Sequence, residues 1–335
     1  MMPSSCRLFV DVCVPATSAN LGPGFDVLGL ALSLYNHFTF AWASETHPHG
    51  AYDALISPLS PELSALPPHQ LGLFQALDRA WQWVYPETPR PPVIVTLTRA
   101  DIPLARGLGS SASAVVAALI GINALANLAL SLSDMAALAV AVEGHGDNVL
   151  PALYGGLMLC LNDPPAKALE SGSISKSTPK AAHQNIQLPW PAHWQPIVII
   201  PESRVSTEKA RLALSPEVSR EDAVFNLGRL AAWVSAAYTG RDERLASAMA
   251  DRLHQPVRSV WIEGFEAYHH AAVAAGAFGL VISGSGPTML ALCHVQQSAA
   301  VQKALQACAD RNHQPNTKIL PLAVDHPGAR VLGWA

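Results

Sequence analysis

One stretch constrains this chain more than any other. From Gly107 to Ser133 it carries no charged residue at all. A membrane-spanning helix needs about 20 mostly apolar residues, so length alone would allow a span. The composition argues against it. The stretch is rich in Ala rather than Leu, contains Asn123 and Asn127, opens on Gly and Ser, and has no Lys, Arg, Trp or Tyr anchor within its ends. A helix buried in the core of a globular protein is the better reading. With 335 residues, 50% hydrophobic and 14% charged, the chain can bury such a core in two domains or one large one. That balance excludes a largely disordered chain. Only 7% is aromatic, so Ala, Val, Leu and Ile must fill much of the core.

A formal charge of −4 and the lack of a basic run leave no electrostatic footprint for nucleic acid or for a polybasic membrane contact. The five cysteines, Cys6, Cys13, Cys160, Cys293 and Cys308, are scattered and form no CxxC. They read as reduced thiols of a cytoplasmic protein, not as a disulfide framework or zinc site. Arg7 is followed by a short apolar run that Asp11 breaks, which does not make a signal peptide.

Residues 7–14 read as a strand, Pro15 to Phe25 as a turn-rich segment, and 28–41 as one or two strands. Residues 44–68 are punctuated by Pro, His and Ser and read as loop. Leu73, Leu77, Ala80 and Val84 share one face of a helix over 71–85. A strand follows at 93–97, then a glycine loop running into the uncharged helix. Ser133-Asp134 reads as the cap of another helix through Val142. Residues 157–161 read as a short strand. Residues 162–187, rich in Pro, Ser, Ala and Lys, read as an exposed connector and domain boundary. Beyond it come a strand at 196–201, helices at 206–214, 220–239, 242–249 and 264–275, and strands at 278–282 and 289–293. The expectation is a two-domain α+β protein, with domains over 1–161 and 188–335.

Three segments can carry chemistry. In Gly107-Leu-Gly109-Ser110-Ser111-Ala-Ser113 the glycines allow close backbone approach, and the helix behind them aims free amides at an anion. Taken alone, the segment reads equally well as a serine-capped helix start. It is no Walker A loop, because no Lys-Ser/Thr follows the glycines, and no GxGxxG, because Ala112 stands where the third glycine would be. Ser283-Gly284-Ser285-Gly286-Pro287-Thr288, between two apolar strands, is a hairpin turn or a second anion cradle. Glu143-Gly-His145-Gly-Asp147-Asn148 packs acidic, imidazole and amide groups beside glycines. Glu143 there opposes the helix dipole and suits a hard cation.

Together with Pro15-Ala-Thr-Ser-Ala-Asn20-Leu-Gly-Pro-Gly-Phe-Asp26, these segments resemble the three motifs of the GHMP small-molecule kinases. The form of the first motif, His145-x-Asp147-Asn148, and Ser206-Thr207-Glu-Lys-Ala-Arg211 are most similar to the branch that acts on L-homoserine. The resemblance runs from about Val12 to Leu292. It implies ATP-dependent phosphorylation of the homoserine hydroxyl on the way to threonine, with magnesium, in the cytoplasm, often as a homodimer. It also implies an N-terminal α/β domain with a left-handed βαβ unit, an exception to the usual handedness, and a ferredoxin-like C-terminal domain.

Carried over position by position, the resemblance places ATP on Pro103, Leu104, Ala105, Arg106, Gly107, Leu108, Gly109, Ser110, Ser111, Ala112 and Ser113. Ser111 and Glu143 would hold magnesium. Asp26 would pair with the substrate ammonium, and Arg211 and Arg258 would clamp its carboxylate, a task suited to guanidinium geometry. Asn20, His145, Asp147, Asn148 and Gly284 would line the homoserine pocket, with Thr207 beside the transferred group. Asn148 and Thr207 are the candidate catalytic residues. Several relatives carry a catalytic Asp where Asn148 stands, and an amide is no general base, so the resemblance implies catalysis by positioning and charge stabilisation. Position 146 is Gly where the family often has Pro. Pro67-Pro-His69-Gln70 is a candidate adenine region or a structural loop. The competing functions are a kinase of this fold acting on another alcohol such as mevalonate, and a silent ligand-binding relative. An acceptor with both signs of charge needs Asp26 and the arginines together, whereas mevalonate has no ammonium group. A Rossmann dehydrogenase fails on glycine spacing.

Overall fold

The computed structural model describes residues 7–43, 54–56, 71–161 and 185–335, with only the backbone described at 54–56 and at Thr207. Most of the loop expected at 44–68, the Pro67–Gln70 region and residues 162–184 of the expected connector lie outside the described residues.

In chain order the first half builds β1 (Phe9–Asn20), β2 (Gly24–Trp42), β3 (Ala54–Ile56), α1 (Gly72–Val84), β4 (Val93–Ala100), α2 (Ser110–Leu125), α3 (Leu132–Glu143), α4 (Gly146–Tyr154), β5 (Leu157–Leu159) and β6 (Ile186–Leu188). The second builds β7 (Trp194–Ile200), α5 (Thr207–Leu212), α6 (Arg220–Thr239), α7 (Leu245–Ala248), α8 (Gln255–Arg258), α9 (Phe265–Ala274), β8 (Ala277–Ile282), β9 (Met289–His294), α10 (Ser298–Arg311), β10 (Lys318–Pro321) and β11 (Arg330–Trp334).

The first sheet runs β11-β1-β2-β4-β3, with β5 on β2 and β6 on β5. Among the described residues its one parallel pair, β3 with β4, is joined through α1 as a βαβ unit. The second sheet runs β10-β7-β9-β8 and is antiparallel throughout. In order of appearance its strands lie fourth, first, third, second, the ferredoxin-like arrangement. Tyr268 of α9 with Val301 and Leu305 of α10 bury one of its faces.

The charge-free stretch is the central helix α2. Val115, Val116, Ala118, Leu119 and Ile122 are fully buried, so the helix is apolar all round because it is enclosed all round. Gly121 is where it meets the sheet. A Cβ there would lie 2.4 Å from the Phe40 ring.

Four expectations need correction. Pro15 to Phe25 is mostly strand, since β1 continues to Asn20 with Ala16, Thr17, Ser18 and Ala19 fully buried. Its turn residues mark only the tight reversal at Asn20, Leu21 and Gly22, all at positive φ. The cap of α3 is Ser131, not Ser133. Ser131 Oγ accepts from Asp134 N at 3.1 Å and Asp134 Oδ2 accepts from Ser131 N at 3.0 Å, a capping box that needs the acid at the third helical position. The end of the expected connector is strand β6, paired with β5. Finally, β11 pairs with β1, so the last residues of the chain join the first sheet, not the second.

Candidate active site

The glycine loop and the 283–288 turn form a single structure. Gly107 has φ +75°, and a Cβ there would lie 2.2 Å from the Ser283 carbonyl. At Gly109, φ +70°, a Cβ would lie 1.9 Å from Thr17 Oγ1. The loop is thus wedged between β1 and the turn, and only glycine fits at either point. Ser283 Oγ donates to the Gly107 carbonyl at 2.6 Å, and Thr288 N donates to that of Arg106 at 3.2 Å. The cap of α2 is Gly109 itself, which offers no side chain. The first amides of α2 therefore lack an intrahelical or capping partner, which leaves them for an anion.

This helix start opens on a cavity of about 760 Å³. Its lining includes Pro103 to Gly107, Gly109 to Ala112, Glu143, Asn20, Asp26, His145, Asp147, Asn148, Arg211, Arg258 and Gly284. The structure thus brings nearly every expected site residue to one place. Leu108 and Ser113 are exceptions. Leu108 is buried in the core. Ser113 Oγ donates to the Ser110 carbonyl at 2.8 Å and accepts from Asn36 Nδ2 at 3.1 Å. Both support the loop from behind. Thr207 opens α5, but its side chain lies outside the described residues.

Ser111 and Glu143 meet across the mouth of α2, where Ser111 Oγ donates to Glu143 Oε2 at 3.2 Å. Burial raises the Glu143 pKa above the ordinary glutamate value, against the charge of His145 and the Ser111 hydrogen bond, which lower it. Two adjacent hard oxygen donors, one a carboxylate whose charge burial disfavours, fit a magnesium ion.

The charged residues pair differently from expectation. Arg211 donates to Asp26 from both Nη atoms, at 2.9 and 2.7 Å, so the groups expected to divide a substrate between them hold each other. Asp26 sits at φ +59° and its amide donates to Asn20 Oδ1 at 3.1 Å. Asn20 Nδ2 donates onward to the Gly284 carbonyl at 2.9 Å, which ties the first motif to the third.

Arg258 is only 2% exposed, yet its hydrogen bonds go to uncharged acceptors: Gly284 O at 3.1 Å, His254 Nδ1 at 3.4 Å and Ala210 O at 3.5 Å. Among the described residues it has no carboxylate partner. Burial, then the charge of Arg211, lowers its pKa. A buried cation without an ion pair is costly unless a ligand neutralises it.

His145 Nδ1 bonds Asp147 Oδ1. Burial opposes charge on that ring, but the bond and charge of Asp147 prevail and the His145 pKa lies above its ordinary value. Asn148 Oδ1 accepts from Thr17 Oγ1 at 2.8 Å. Thr17, inside the first motif, and Asn36 line up the loop and the Asn148 amide, roles with no signal in the sequence because polar residues of a strand carry no spacing that shows what they touch. His254 and Asp251 stand shortly before Arg258 in the chain, but nothing in the sequence shows what they touch.

A glycine/serine helix start over a cavity lined by both arginines and carboxylates is the arrangement that suits a small-molecule phosphotransferase. The family model for the GHMP kinase N-terminal domain matches residues 73–156, and that for the C-terminal domain matches 233–312. The homoserine kinase of Crocosphaera subtropica is 39% identical over 96% of this chain and 97% of its own length. That of Nostoc sp. is 40% identical over 96% of this chain and 98% of its own. The crystal structure of homoserine kinase from Cytophaga hutchinsonii superposes with a TM-score of 0.81 at 26% identity, covering 99% of this chain and all of that one. Mevalonate kinase of Methanococcus jannaschii shares the fold, with a TM-score of 0.63 at 12% identity. The chain belongs to the GHMP kinase family, in its homoserine kinase branch. Among the described residues no helix is long and apolar enough to cross a membrane.

Proposed function

We propose that the chain transfers the γ-phosphoryl group of ATP to the side-chain hydroxyl of L-homoserine, releasing ADP and O-phospho-L-homoserine. The observation that carries this is Arg258, a buried cation with no carboxylate partner among the described residues, lining one cavity with Asp26 and with the uncapped start of α2. A carboxylate on Arg258 and an ammonium on Asp26 describe an amino acid. The branch similarity at about 40% identity supports the same acceptor.

The triphosphate takes the amides of Ser110 to Ala112, with Gly107 and Gly109 letting the backbone come close. Ser111 and Glu143 would hold magnesium, which when bound neutralises phosphate charge as it builds up in transfer. The acceptor hydroxyl attacks phosphorus in line, the new O–P bond forms as the bond to the ADP oxygen breaks, and the hydroxyl proton leaves late, to phosphate or solvent. No base is needed at Asn148. Its amide oxygen is engaged by Thr17, and its role is to shape the acceptor site.

Two measurements bear on this. ADP release in the presence of ATP and magnesium is expected with L-homoserine and not with mevalonate, because Asp26 has no ammonium to meet in the latter. Turnover with mevalonate instead would keep the fold and discard the acceptor. In addition, Asn148→Asp is expected to give no gain in kcat and no new acid limb in the pH profile. A sharp rise with such a limb would mean that the reaction is limited by a missing base.

A further inference from the structure

His254 is wholly buried and has no role in the chemistry above. It precedes α8, four residues before Arg258. Its ring has two hydrogen-bond partners of fixed polarity, and Asp251 Oδ2 lies 3.7 Å from Nε2, on the side where a proton is wanted. Nε2 lies 2.9 Å from the Gly22 carbonyl oxygen, which can only accept. Nδ1 lies 3.4 Å from Arg258 Nη1, which can only donate. One neutral form satisfies both contacts, with the proton on Nε2 and a bare Nδ1. A doubly protonated ring would turn a second N–H onto the guanidinium.

The imidazole is also immobilised. Phe25 stacks on it with ring centroids 5.3 Å apart, and the Arg258 guanidinium lies 5.2 Å from the same Phe25 ring. The Asp251 carboxylate, likewise buried, accepts from the amides of Leu253, His254 and Gln255 at 3.2, 2.9 and 2.7 Å, which pins the backbone carrying the ring. Asn226 Nδ2 donates to the other side of that carboxyl group at 2.7 Å. Burial lowers the His254 pKa, against the charge of Asp251 and together with that of Arg258, in keeping with a neutral ring.

With Nη1 shared between His254 and the Gly284 carbonyl, and Nε directed at Ala210, Nη2 is the nitrogen left for a ligand among the described contacts. We propose that His254 is the positioning residue for Arg258: the Gly22 carbonyl sets its tautomer, and its Nδ1 aims the guanidinium at the substrate carboxylate. This rests on the acceptor reading above. It links the turn after β1 to the carboxylate site through a single ring, and gives the buried histidine a specificity role as well as a packing one.

The two contacts can be separated. In His254→Asn the side-chain amide falls near the Nδ1 position and keeps an acceptor for Arg258. In His254→Gln it falls near Nε2, keeps a donor for Gly22 and leaves Arg258 Nη1 short of one acceptor. The expected result is a KM for L-homoserine raised about tenfold in His254→Gln, the scale of one lost hydrogen bond to a charged group. His254→Asn should stay within about threefold of wild type, because it keeps an acceptor for Arg258 Nη1. KM for ATP should hold in both. Equal KM values for L-homoserine in the two variants, or a matching rise in KM for ATP, would overturn the proposal. Nitrogen-15 histidine NMR of the wild-type protein is independent of folding of the variants and of turnover. A bare Nδ1 with a protonated Nε2 is expected for His254, and an Nδ1–H or doubly protonated ring would overturn the tautomer assignment. Wild-type protein without L-homoserine turnover would instead overturn the acceptor reading and leave the NMR result standing.

Discussion

Replacing Arg258 with methionine should lower kcat/KM for L-homoserine by about 10²–10³-fold, carried mostly by KM, with KM for ATP little changed. Removing one partner of a buried charge pair costs about 2–5 kcal/mol, and each 1.4 kcal/mol is about tenfold. The stability of the free protein should move the other way. Arg258 is buried and hydrogen-bonded only to neutral acceptors, with Asp26, Asp147 and Asp251 favouring its charge from beyond ion-pair distance, so an apolar chain of similar length removes a costly buried cation while freeing the acceptors it held. Thermal unfolding without ligand is expected to be unchanged or raised. Steady-state kinetics beside that melt check both halves. A variant that unfolds readily, or one with an unchanged KM for L-homoserine, contradicts the assignment of Arg258 as the carboxylate site.

Gly109→Ala should abolish most activity, by about 10²-fold or more, through KM for ATP and kcat together. The new Cβ would lie 1.9 Å from Thr17 Oγ1, and 3.2 Å from Asn148 Oδ1. The residue also holds φ +70°, a left-handed conformation that costs an alanine about 1–2 kcal/mol. Relief requires the loop to lift off β1, which moves the α2 amides and disturbs Asn148 at the same time. A misplacement of about 1 Å is enough for a loss of that size. ATP-analogue binding by calorimetry separates the loop effect from chemistry. Unimpaired nucleotide affinity in this variant would mean that the loop does not carry the phosphates.

What the sequence revealed here was local. The charge-free stretch announced an enclosed helix because a helix apolar on every side has no solvent face. The glycine pair announced a close approach because no other residue tolerates one. The near-complete convergence of Asn20, Asp26, Glu143, His145, Asp147, Asn148, Arg211 and Arg258 on one cavity followed the family resemblance. Partnerships across the fold were not legible. Asp26 and Arg211 are 185 residues apart, and their mutual pairing depends on how α5 sits over the first turn. The return of β11 to β1 has no local signature either, since a five-residue strand can pair with any free edge. Helix α10 is legible by contrast, since Val301, Leu305 and Cys308 repeat at helical spacing and form its buried face. Turn-type residues at Pro15 to Asn20 misled because small residues also suit a central strand over which a loop must pass closely.

Asp26 and Arg211 neutralise each other, whereas Arg258 has no carboxylate partner among the described residues. On the proposed acceptor reading an amino acid would engage both the pair and Arg258, whereas a ligand bearing only a carboxylate would gain Arg258 and nothing from Asp26, and that difference would separate an amino acid from a hydroxy acid.

The most direct test of the central claim is phosphorus NMR of the wild-type protein with ATP, magnesium and L-homoserine. The expected result is loss of the γ-phosphoryl signal of ATP with growth of a phosphomonoester signal coupled to the methylene protons beside the homoserine hydroxyl oxygen. Growth of inorganic phosphate alone, or no change in the ATP signals, would contradict the account.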